Sequence, residues 1–424
     1  MSEASAQTRR AGALQPPLWR QFRQAAVAVE RRILEGGRSA SDVSPAVEDL
    51  MYAGLRSWGL TQVRLARMVE RPPEPVLQAL LAVVWGALER HYREPATLVD
   101  QAVRAARALG GEPTARFFNG LLRRTLREPE RAQDDLRSWV ARLNAPDWWV
   151  DRLLGQLDQA SLEQIAHAHH SPPPFCLRYL DGREPSTVFT RPMARLTDHP
   201  QWQQGRMRVQ DASAQALASL LPLQPGQQVL DACAAPGGKS ILLAQQAPVE
   251  VWSVDLAEGR LDRLVQDLQR VGSWLQGQIH PVAADLLQPQ TDWVCRLTGQ
   301  RAPEVFDHLV LDAPCSASGV ARRHPDGPWR RSPEQFAQVL ALQARLLDVL
   351  WPRLRPGGQL VYITCSVFRE EGQDQVEAFL RRQPQARSLA APGLMLPFAQ
   401  QREDGVWTGR DGFFYARFEK RADG

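Results

Sequence analysis

Two free thiols, each placed directly after an apolar run, could carry out nucleophilic chemistry. Cys315 ends the sequence Asp312-Ala-Pro-Cys, and Cys365 lies between Thr364 and Ser366. A thiol attacks as its thiolate, and because its free pKa is near ~8.5 it needs a positive neighbour or a helix N-terminus. One such cysteine is more often a packing residue. Two of them, each followed by serine and one preceded by Asp-Ala-Pro, favour catalysis.

A loop of small residues follows another apolar run, in the sequence VLDACAAPGGKS (229–240). Lys239 in this loop is one of only two lysines in a chain that has 51 lysines and arginines. A phosphate-wrapping loop needs the pattern GxxxxGK[ST], and Cys233 occupies the position of its first glycine. The dinucleotide pattern GxGxxG does not fit either. Small residues with Gly237 and Gly238 instead let a ligand approach the backbone closely.

Acidic residues lie at the ends of three successive apolar runs: Asp231, Asp255 and Asp285. A carboxylate about twenty residues beyond a first strand end can accept both ribose hydroxyls of a nucleoside, which is the role expected for Asp255. Asp285 would then be within reach of an adenine amino group. Three acids at neighbouring strand ends suit a nucleoside that carries a positive charge rather than phosphates.

The elements that must position these residues belong to an α/β sheet. From residue 209 onward, apolar runs of strand length alternate with helical segments, and a helix with Asp211 near its N-cap comes first. This alternation predicts a doubly wound, mostly parallel sheet, in which ligands bind at the carboxyl ends of the strands. The predicted strands are QVLDAC, EVWSVD, IHPVAAD, FDHLVLDAP, QLVYITCS and GFFYARFEK.

The chain before residue 209 has a different pattern. Residues 1–16 are expected to be disordered, and residues 17–145 carry apolar residues at three-to-four spacing, which is typical of an all-α bundle. The segment 146–208 is polar, contains prolines and is weakly periodic, so we interpret it as a small connecting subdomain. The α/β domain would span residues 209–424.

Composition narrows the class of protein. The chain has 424 residues, 44% of them hydrophobic and 23% charged, and no apolar run has the ~20 residues that a membrane span needs. Its five cysteines form neither a disulfide framework nor a CxxC zinc pattern, so we expect a cytoplasmic protein with reduced thiols. The net charge is only +4, but the arginines occur in clusters. Taken together, these arginine clusters indicate nucleic acid as a partner.

The motifs in their order resemble one known family, the RNA (cytosine-5) methyltransferases, and within it the bacterial RsmB (Sun/Fmu) type that modifies 16S ribosomal RNA. The resemblance covers nearly the whole chain. It is carried by VQDASAQ, LDACAAPGGKS, VDLAEGRL, FDHLVLDAPCSASGVARRHPD, PGGQLVYITCSVFREE and DGFFYARF, with ARFFNGLLRRTLRE in the helical region. It implies a Rossmann-like class I S-adenosylmethionine-dependent methyltransferase domain, preceded by an all-α NusB-like RNA-binding domain. The connecting subdomain is shorter than in the family.

The resemblance also assigns roles to residues. Cys365 would be the nucleophile that adds to cytosine C6, Cys315 would assist the later elimination, and Asp312 would hydrogen-bond the base at N3. The expected S-adenosylmethionine contacts are Cys233, Ala234, Ala235, Pro236, Gly237, Gly238, Lys239, Asp255, Arg260, Asp285 and Asp312. The expected RNA contacts are Arg322, Arg323, His324, Arg123 and Arg124.

The partner implied by the resemblance is 16S ribosomal RNA, either naked or in a partly assembled small subunit. Two other functions stay open: a transfer-RNA cytosine-5 methyltransferase, and a non-catalytic RNA-binding factor that keeps the fold. The histidines 167, 169 and 170 lack the i,i+4 spacing of a metal site, and we expect no metal. We also expect a monomer and no membrane partner.

Overall fold

The computed structural model describes residues 16–36, 43–182, 186–193, 195–288 and 292–422. The segment expected to be disordered, 1–16, lies outside the described residues except for its last position. Two compact units are present, one ending at Asn144 and the other beginning at Ala145. In the described ranges, none of the helices combines the length and apolar character that a membrane crossing requires.

The first unit is helical throughout its described residues, as predicted. Its central helix, α4, is buried without interruption from Ala79 to Ala87 and packs against α1, α2 and α5. The approach of α2 is close because Gly86 has no side chain: a Cβ there would lie 2.6 Å from the carbonyl oxygen of Ala53. The helices of this unit are α1 (Leu18–Leu34), α2 (Pro45–Arg56), α3 (Trp58–Met68), α4 (Pro75–Glu89), α5 (Pro95–Arg127), α6 (Pro129–Arg137) and α7 (Trp139–Leu143).

Helix α5 is two helical halves joined by a kink. The backbone leaves the helical conformation at Gly110 and at Gly111, where φ is +76°. A positive φ of this size favours glycine, and Pro113 starts the second half where its missing N–H is not needed. The two halves therefore face each other across a bend.

The second unit begins with two helices and a small antiparallel sheet of strand order β2-β1-β3. Hydrogen bonds between Arg178 and Gln210 (3.0 Å) and between Gln210 and the carbonyl of Gly238 (3.2 Å) connect this sheet to the loop that contains Lys239. The elements are α8 (Asp147–Leu154), α9 (Gln159–His170), β1 (Phe175–Tyr179), β2 (Thr187–Thr190), α10 (Pro200–Gln203) and β3 (Met207–Val209).

A seven-stranded sheet of order β6-β5-β4-β7-β8-β12-β9 forms the centre of the second unit. The strands β6, β5, β4, β7 and β8 are mutually parallel. Strand β12 pairs antiparallel with both β8 and β9. The strands are β4 (Gln228–Ala232), β5 (Glu250–Asp255), β6 (Gln278–Ala283), β7 (Phe306–Asp312), β8 (Leu354–Thr364), β9 (Ala386–Met395) and β12 (Phe413–Lys420); β10 (Phe398–Gln401) and β11 (Trp407–Arg410) form a hairpin.

Helices cover both faces of this sheet. Successive residues of β4 point to opposite sides, so Val229 packs with α11 and α12, whereas Leu230 packs with α13 and α14. This arrangement confirms the doubly wound sheet predicted from the sequence. The helices are α11 (Gly238–Gln246), α12 (Glu258–Val271), α13 (Pro333–Leu350) and α14 (Gln373–Arg382).

The helix expected after Asp211 is present as a 3-10 helix, Ser213–Ser219, and Asp211 accepts a hydrogen bond from the N–H of Ser213 (2.9 Å). One strand of the sheet was not expected. Strand β9 was missed because Pro392 and Gly393 lie inside it and alanine and serine favour strands weakly. An edge strand tolerates such residues, since one side of its backbone needs no ladder partner.

Candidate active site

The candidate site lies where the order of the parallel strands reverses. From β4 the chain continues outward to β5 and β6, and then returns to place β7 on the other side of β4. In open α/β sheets this reversal leaves a crevice at the carboxyl ends of the two central strands. The loop that begins at Cys233 and the carboxylate of Asp312 flank this crevice, and the loop after β8 adds Cys365.

Lys239, at the start of α11, forms an ion pair with Asp312 at the end of β7. The Nζ to Oδ2 distance is 2.6 Å, and the lysine side chain is only 11% exposed against 32% for the aspartate. Burial alone would lower the pKa of Lys239, but the charge and hydrogen bond of Asp312, with smaller contributions from Asp231 and Cys365, raise it overall. The ammonium also lies 5.5 Å from the centre of the Phe413 ring. Lys239 is therefore a permanent cation beside Asp312.

The two predicted thiols meet. Their Sγ atoms are 3.3 Å apart, and the peptide N–H of Gly319 donates to the carbonyl of Cys365 (3.0 Å), which ties the two loops together. The hydrogen bond with Cys365, followed by burial, raises the pKa of Cys315 well above its ordinary value. Cys315 therefore keeps its proton at neutral pH.

A buried carboxylate, Glu371, holds the Cys315 loop in place. Its Oε1 accepts from the peptide N–H of Ser316 (2.7 Å) and from Nε2 of Gln343 (3.1 Å), and its Oε2 accepts from the hydroxyl of Ser316. Gln343 in turn donates to the carbonyl of Pro314 (2.9 Å). Burial raises the pKa of Glu371 against the lowering effect of these hydrogen bonds. Sequence reasoning missed this residue, which follows Cys365 in an Arg-Glu-Glu run that looks like solvent-exposed chain.

Asp255 and Arg260, both expected at the nucleoside end of the crevice, lie close together, and Asp285 follows the adjacent strand. Asp255 is nearly buried, and its two oxygens accept from the N–H groups of Ala235 and Ala257, each at 3.0 Å. Arg260 lies 3.8 Å from this carboxylate and donates to the carbonyl of Ala235 (2.5 Å). Asp285, in the loop after the adjacent strand, accepts from the N–H of Leu287 (2.9 Å).

An apolar side chain that sequence reasoning missed fits the same ligand. Leu256 follows Asp255 directly and is 74% exposed. A large apolar residue this exposed at a strand end offers a surface that the face of a purine could cover. Carboxylate oxygens accept hydrogen bonds, so Asp255 and Asp285 suit the hydroxyl and amino donors of an adenosine group with no phosphate.

The loop from Cys233 to Lys239 is shaped closely against α12. Cys233 and Gly237 both have positive φ, +61° and +93°. A Cβ at Gly237 would lie 2.2 Å from Cδ1 of Leu264, so glycine is required there. Ala234 donates to the carbonyl of Val254 (3.1 Å), and Pro236 is exposed. Burial raises the pKa of Cys233, so its thiol stays neutral.

Asp231 does not face the crevice, which corrects the expectation that it contributes to a nucleoside site. Asp231 is fully buried, and its Oδ2 accepts a hydrogen bond from the hydroxyl of Ser240 (2.5 Å). The Ser240 hydroxyl in turn accepts a hydrogen bond from the hydroxyl of Ser253 (2.8 Å). Burial raises the pKa of Asp231 to about 7. Its role is to anchor the first turn of α11, and with it Lys239.

Arg322 is buried, and this corrects the expectation that it meets RNA. Its Nε donates to Oδ1 of Asp411 (2.5 Å) and its Nη1 to the carbonyl of Phe398 (3.2 Å). The side chain is 0% exposed, so the guanidinium cannot contact a phosphate without leaving the interior. Arg322 instead fixes the loop after Cys315 against the turn before β12.

Arg323 and His324 are more accessible. Arg323 shares Asp411 with Arg322 and also donates to Asp211 (3.1 Å). Burial, followed by the nearby Asp411, raises the pKa of Asp211 to about 6. His324 is exposed at the surface. Of the three predicted RNA contacts on this loop, His324 is exposed, Arg323 is partly exposed and Arg322 is buried.

The two arginines of the first unit that were expected to contact RNA, Arg123 and Arg124, have different surroundings. Arg123 lines a groove of about 690 Å³ between the two halves of α5, whereas Arg124 points away and donates to Glu128 (3.1 Å). Arg107, Arg116 and Arg127 line the same groove. Among the described residues, no group of three His, Cys, Asp or Glu side chains is placed to hold a metal ion.

Comparison with known proteins gives a consistent result. A family model described as 16S rRNA methyltransferase RsmB/F matches residues 218–419. The chain is 33% identical over 435 residues to Ribosomal RNA small subunit methyltransferase B of Salmonella newport (strain SL254), with 94% of this chain and 98% of the relative covered.

Two solved structures share the fold. The crystal structure of PH0851 superposes with a TM-score of 0.67 at 21% identity, covering 94% of this chain and 98% of that one. A methyltransferase homolog protein from Pyrococcus horikoshii has a TM-score of 0.51 at 25% identity, covering 66% of this chain and 97% of that one. The similarity to PH0851 extends through both units and shows a common fold.

Proposed function

The chain belongs to the 16S rRNA methyltransferase RsmB/F family, and from that premise we propose that it methylates C5 of one cytosine in 16S ribosomal RNA. Its Rossmann-like domain, preceded by an all-α unit, is that of an RNA methyltransferase using an S-adenosylmethionine-type cofactor. The base, the ring atom and the covalent route are the parts that we propose.

The proposed mechanism begins with Cys365. C5 of cytosine is not nucleophilic until a group adds at C6, so a bond from the Cys365 Sγ to C6 makes C5 an enamine-like carbon. When bound, S-adenosylmethionine supplies an electrophilic methyl group for that carbon. Cys365 lies close enough to the Lys239 ammonium to interact with it electrostatically, which places this thiol beside a fixed cation in the crevice.

Asp312 and Lys239 would act together on the base. As Cys365 adds to C6, negative charge moves toward N3, and a protonated N3 would hydrogen-bond to the Asp312 carboxylate. The ion pair at 2.6 Å holds this carboxylate in a fixed position before the substrate arrives. A group that is already oriented where charge develops lowers the barrier without reorganising.

Cys315 would complete the reaction. After methyl transfer the Cys315 thiolate would accept the C5 proton, and the electron pair of that C–H bond would expel Cys365 from C6, which restores the aromatic ring and the Cys365 thiolate. A Cys315 Sγ at 3.3 Å from Cys365 supports a role in this elimination. Its raised pKa makes Cys315 a protonated thiol at rest, so it would give that proton up as the adduct forms and take the C5 proton as the adduct breaks down.

The target cytosine must be unpaired or flipped out, because the crevice lies at a sheet edge that a stacked base cannot enter. Partly exposed Arg323, exposed His324 and the arginine-lined groove with Arg123 would bind RNA phosphate in the two units. We propose either naked 16S RNA or a partly assembled small subunit as the substrate.

One observation supports the proposal most directly: two thiols from different loops approach to 3.3 Å beside the Lys239–Asp312 pair. The decisive experiment is bisulfite sequencing of ribosomal and transfer RNA from cells that lack the gene, complemented with either the wild type or Cys365→Ala. We expect one 16S cytosine to lose its mark in the deletion strain and to regain it only with the wild type. Loss of a mark in transfer RNA instead would favour the alternative substrate, and no lost mark would favour a non-catalytic RNA-binding factor.

A further inference from the structure

A cavity in the second unit, separate from the crevice of the candidate active site, lies between α13 and the loop that precedes it. Its volume is about 460 Å³, within the range of sites that hold small ligands or parts of larger ones. The described residues that line it are Gly327, Arg330, Arg331, Gln335, Gln338, Val339 and Leu342. Nothing in the proposed chemistry uses this cavity.

The cavity is cationic. Two of its described lining residues are arginines and none is acidic. Arg330 is held through one nitrogen by Asp326 (3.1 Å), which leaves most of its donors available. The Nε atom of Arg331 is buried and, in the part of the chain that the structure describes, has no hydrogen-bond partner. Because Arg331 as a whole lines the cavity while its Nε is buried, an anion in the cavity would be bound by the other donors of this guanidinium group.

An uncharged hydrogen-bonding group lies next to the arginines. Gln335 is already used, since it forms a reciprocal capping box with Ser332 at the start of α13. Gln338 is exposed one turn further along the helix, so its side-chain amide is accessible. An amide presents both a donor and an acceptor, which matches the edge of a nucleobase. The cavity thus combines phosphate-binding and base-binding groups.

The cavity is on the catalytic edge of the sheet. Gln335, Gln338, Val339 and Leu342 follow one face of α13, and the next residue, Gln343, donates to the carbonyl of Pro314 beside Cys315. The opposite wall comes from the loop that leaves Cys315 and leads into α13. Both walls of the cavity therefore lead to Cys315: one through the hydrogen bond from Gln343 on α13, and the other through the loop that begins at Cys315.

We infer that this cavity binds a nucleotide that flanks the target cytosine, with the phosphate at Arg331 and Arg330 and the base edge at Gln338. The inference rests on the proposed function, because it takes RNA as the substrate. Its consequence is that the enzyme reads the strand next to the target, which helps to hold an unpaired segment while the cytosine enters the crevice. Arginine suits this role because its planar fork binds phosphate bidentately.

The test compares Arg331→Ala with a matched control, Arg381→Ala. Arg381 is exposed in the last turn of α14, which ends at the opposite edge of the sheet, and it lines neither cavity described above. Both variants lose one positive charge, so a general electrostatic effect would appear in both. Measured quantities are the KM for RNA, kcat, and the salt dependence of RNA binding without cofactor.

For Arg331→Ala we expect the KM for RNA to rise roughly tenfold, as for loss of a charged hydrogen bond, with kcat within about twofold of the wild type. The slope of log K against log salt should become shallower by about 0.7, the value for one phosphate contact on a single strand. Arg331→Lys should recover part of the affinity. Arg381→Ala should match the wild type in all three quantities.

Equal KM values and salt slopes for Arg331→Ala and Arg381→Ala would overturn the inference. The binding comparison decides this even if methylation is not observed. A wild-type protein that methylates no RNA would instead overturn the proposed function, so the two failures are distinguishable.

Discussion

The Nζ atom of Lys239 lies 2.6 Å from Oδ2 of Asp312, although the two residues are separated by 73 positions in the chain. The lysine comes from the first turn of α11 and the aspartate from the end of β7, so the pair joins the two central strands across their reversal point. In a chain whose other basic residues are almost all arginine, a compact ammonium fits here where a planar guanidinium would need more room. The ion pair links the expected cofactor loop to the carboxylate that we place against the base.

Replacing Lys239 by methionine should lower kcat at least a hundredfold. The Asp312 carboxylate would lose its cation and its fixed position, and loss of one preorganised electrostatic partner typically has an effect of this size. Lys239→Arg should retain more activity than the methionine variant but less than the wild type. Single-turnover methyl transfer measures the effect, and calorimetric binding of S-adenosylmethionine separates it from loss of the cofactor. Wild-type single-turnover rates in Lys239→Met would show that the pair is only structural.

The two cysteines should give opposite results on substitution. Cys365→Ala should abolish methyl transfer and form no adduct, because no nucleophile remains to add to C6. Cys315→Ala should methylate the base but release it slowly, so a covalent protein–RNA complex should survive denaturing electrophoresis. Cys176→Ala serves as a control, since this buried thiol lies outside the site. An adduct that requires Cys315 rather than Cys365 would reverse our assignment.

Much of the site follows from strand ends that a sequence can reveal. Apolar runs that stop at Asp255, Asp312 and Cys365 end at the same sheet edge because the strands are parallel, and so these side chains could be predicted to come together. The contact of Lys239 with Asp312 could not be predicted in this way, because the lysine belongs to a helix. The acid nearest to Lys239 in the sequence is Asp231, and Asp231 is buried and hydrogen-bonded to Ser240 instead.

Residues that act through tertiary contacts were the ones that sequence reasoning misjudged. Arg322 stands in an Arg-Arg-His run that looks like a solvated RNA contact, but Asp411, 89 positions away, draws it into the interior. In the sequence Glu371 looks like a surface residue, but in the structure its carboxylate is buried and accepts a hydrogen bond from the N–H of Ser316 in the Cys315 loop. Charge patterns in a sequence do not indicate burial when the partner is distant.

Glu371→Gln should slow the release of product rather than the attack on C6. The carboxylate accepts from the N–H and hydroxyl of Ser316 and from Gln343, so an amide nitrogen at one of these positions would place a donor against a donor. The Cys315 loop would loosen more than Cys365, which directly follows strand β8. We expect a several-fold lower turnover and partial build-up of the covalent adduct.

Glu377→Gln, a change of the same type on the exposed face of α14, should behave like the wild type in both assays. Equal turnover and equal adduct levels in the two glutamate variants would contradict a positioning role for Glu371.

Asp231 should make the stability of the protein depend on pH. Burial raises its pKa to about 7 in the folded state, compared with 3.8 for an exposed aspartate. The stabilisation from its neutral form is complete below pH 3.8 and is lost as pH rises through about 7, because the folded state must then bury a charge. Asp231→Asn cannot titrate, so its melting temperature should increase relative to that of the wild type between pH 5 and pH 8. Parallel curves for the two proteins would contradict this, and the exposed Asp198→Asn serves as the control.

Gly237→Ala should destabilise the protein even without any ligand, whereas the same change one residue later should not. At Gly237 the backbone has φ +93°, which costs an L-residue about 1–2 kcal/mol, and the new Cβ would overlap Cδ1 of Leu264 at 2.2 Å. At Gly238 the nearest atom would be Nε2 of Gln210 at 3.6 Å, an ordinary contact, and alanine favours the helix that starts there.

Thermal unfolding of the cofactor-free proteins checks this comparison, and we expect Gly237→Ala to melt several degrees below Gly238→Ala. Cofactor affinity measured in the same pair should fall for Gly237→Ala, because a shifted Leu264 would push the loop that holds Lys239 out of place. An unchanged melting temperature for Gly237→Ala would mean that α12 can move away from this loop freely, and the close approach of the two would then not be what shapes the crevice.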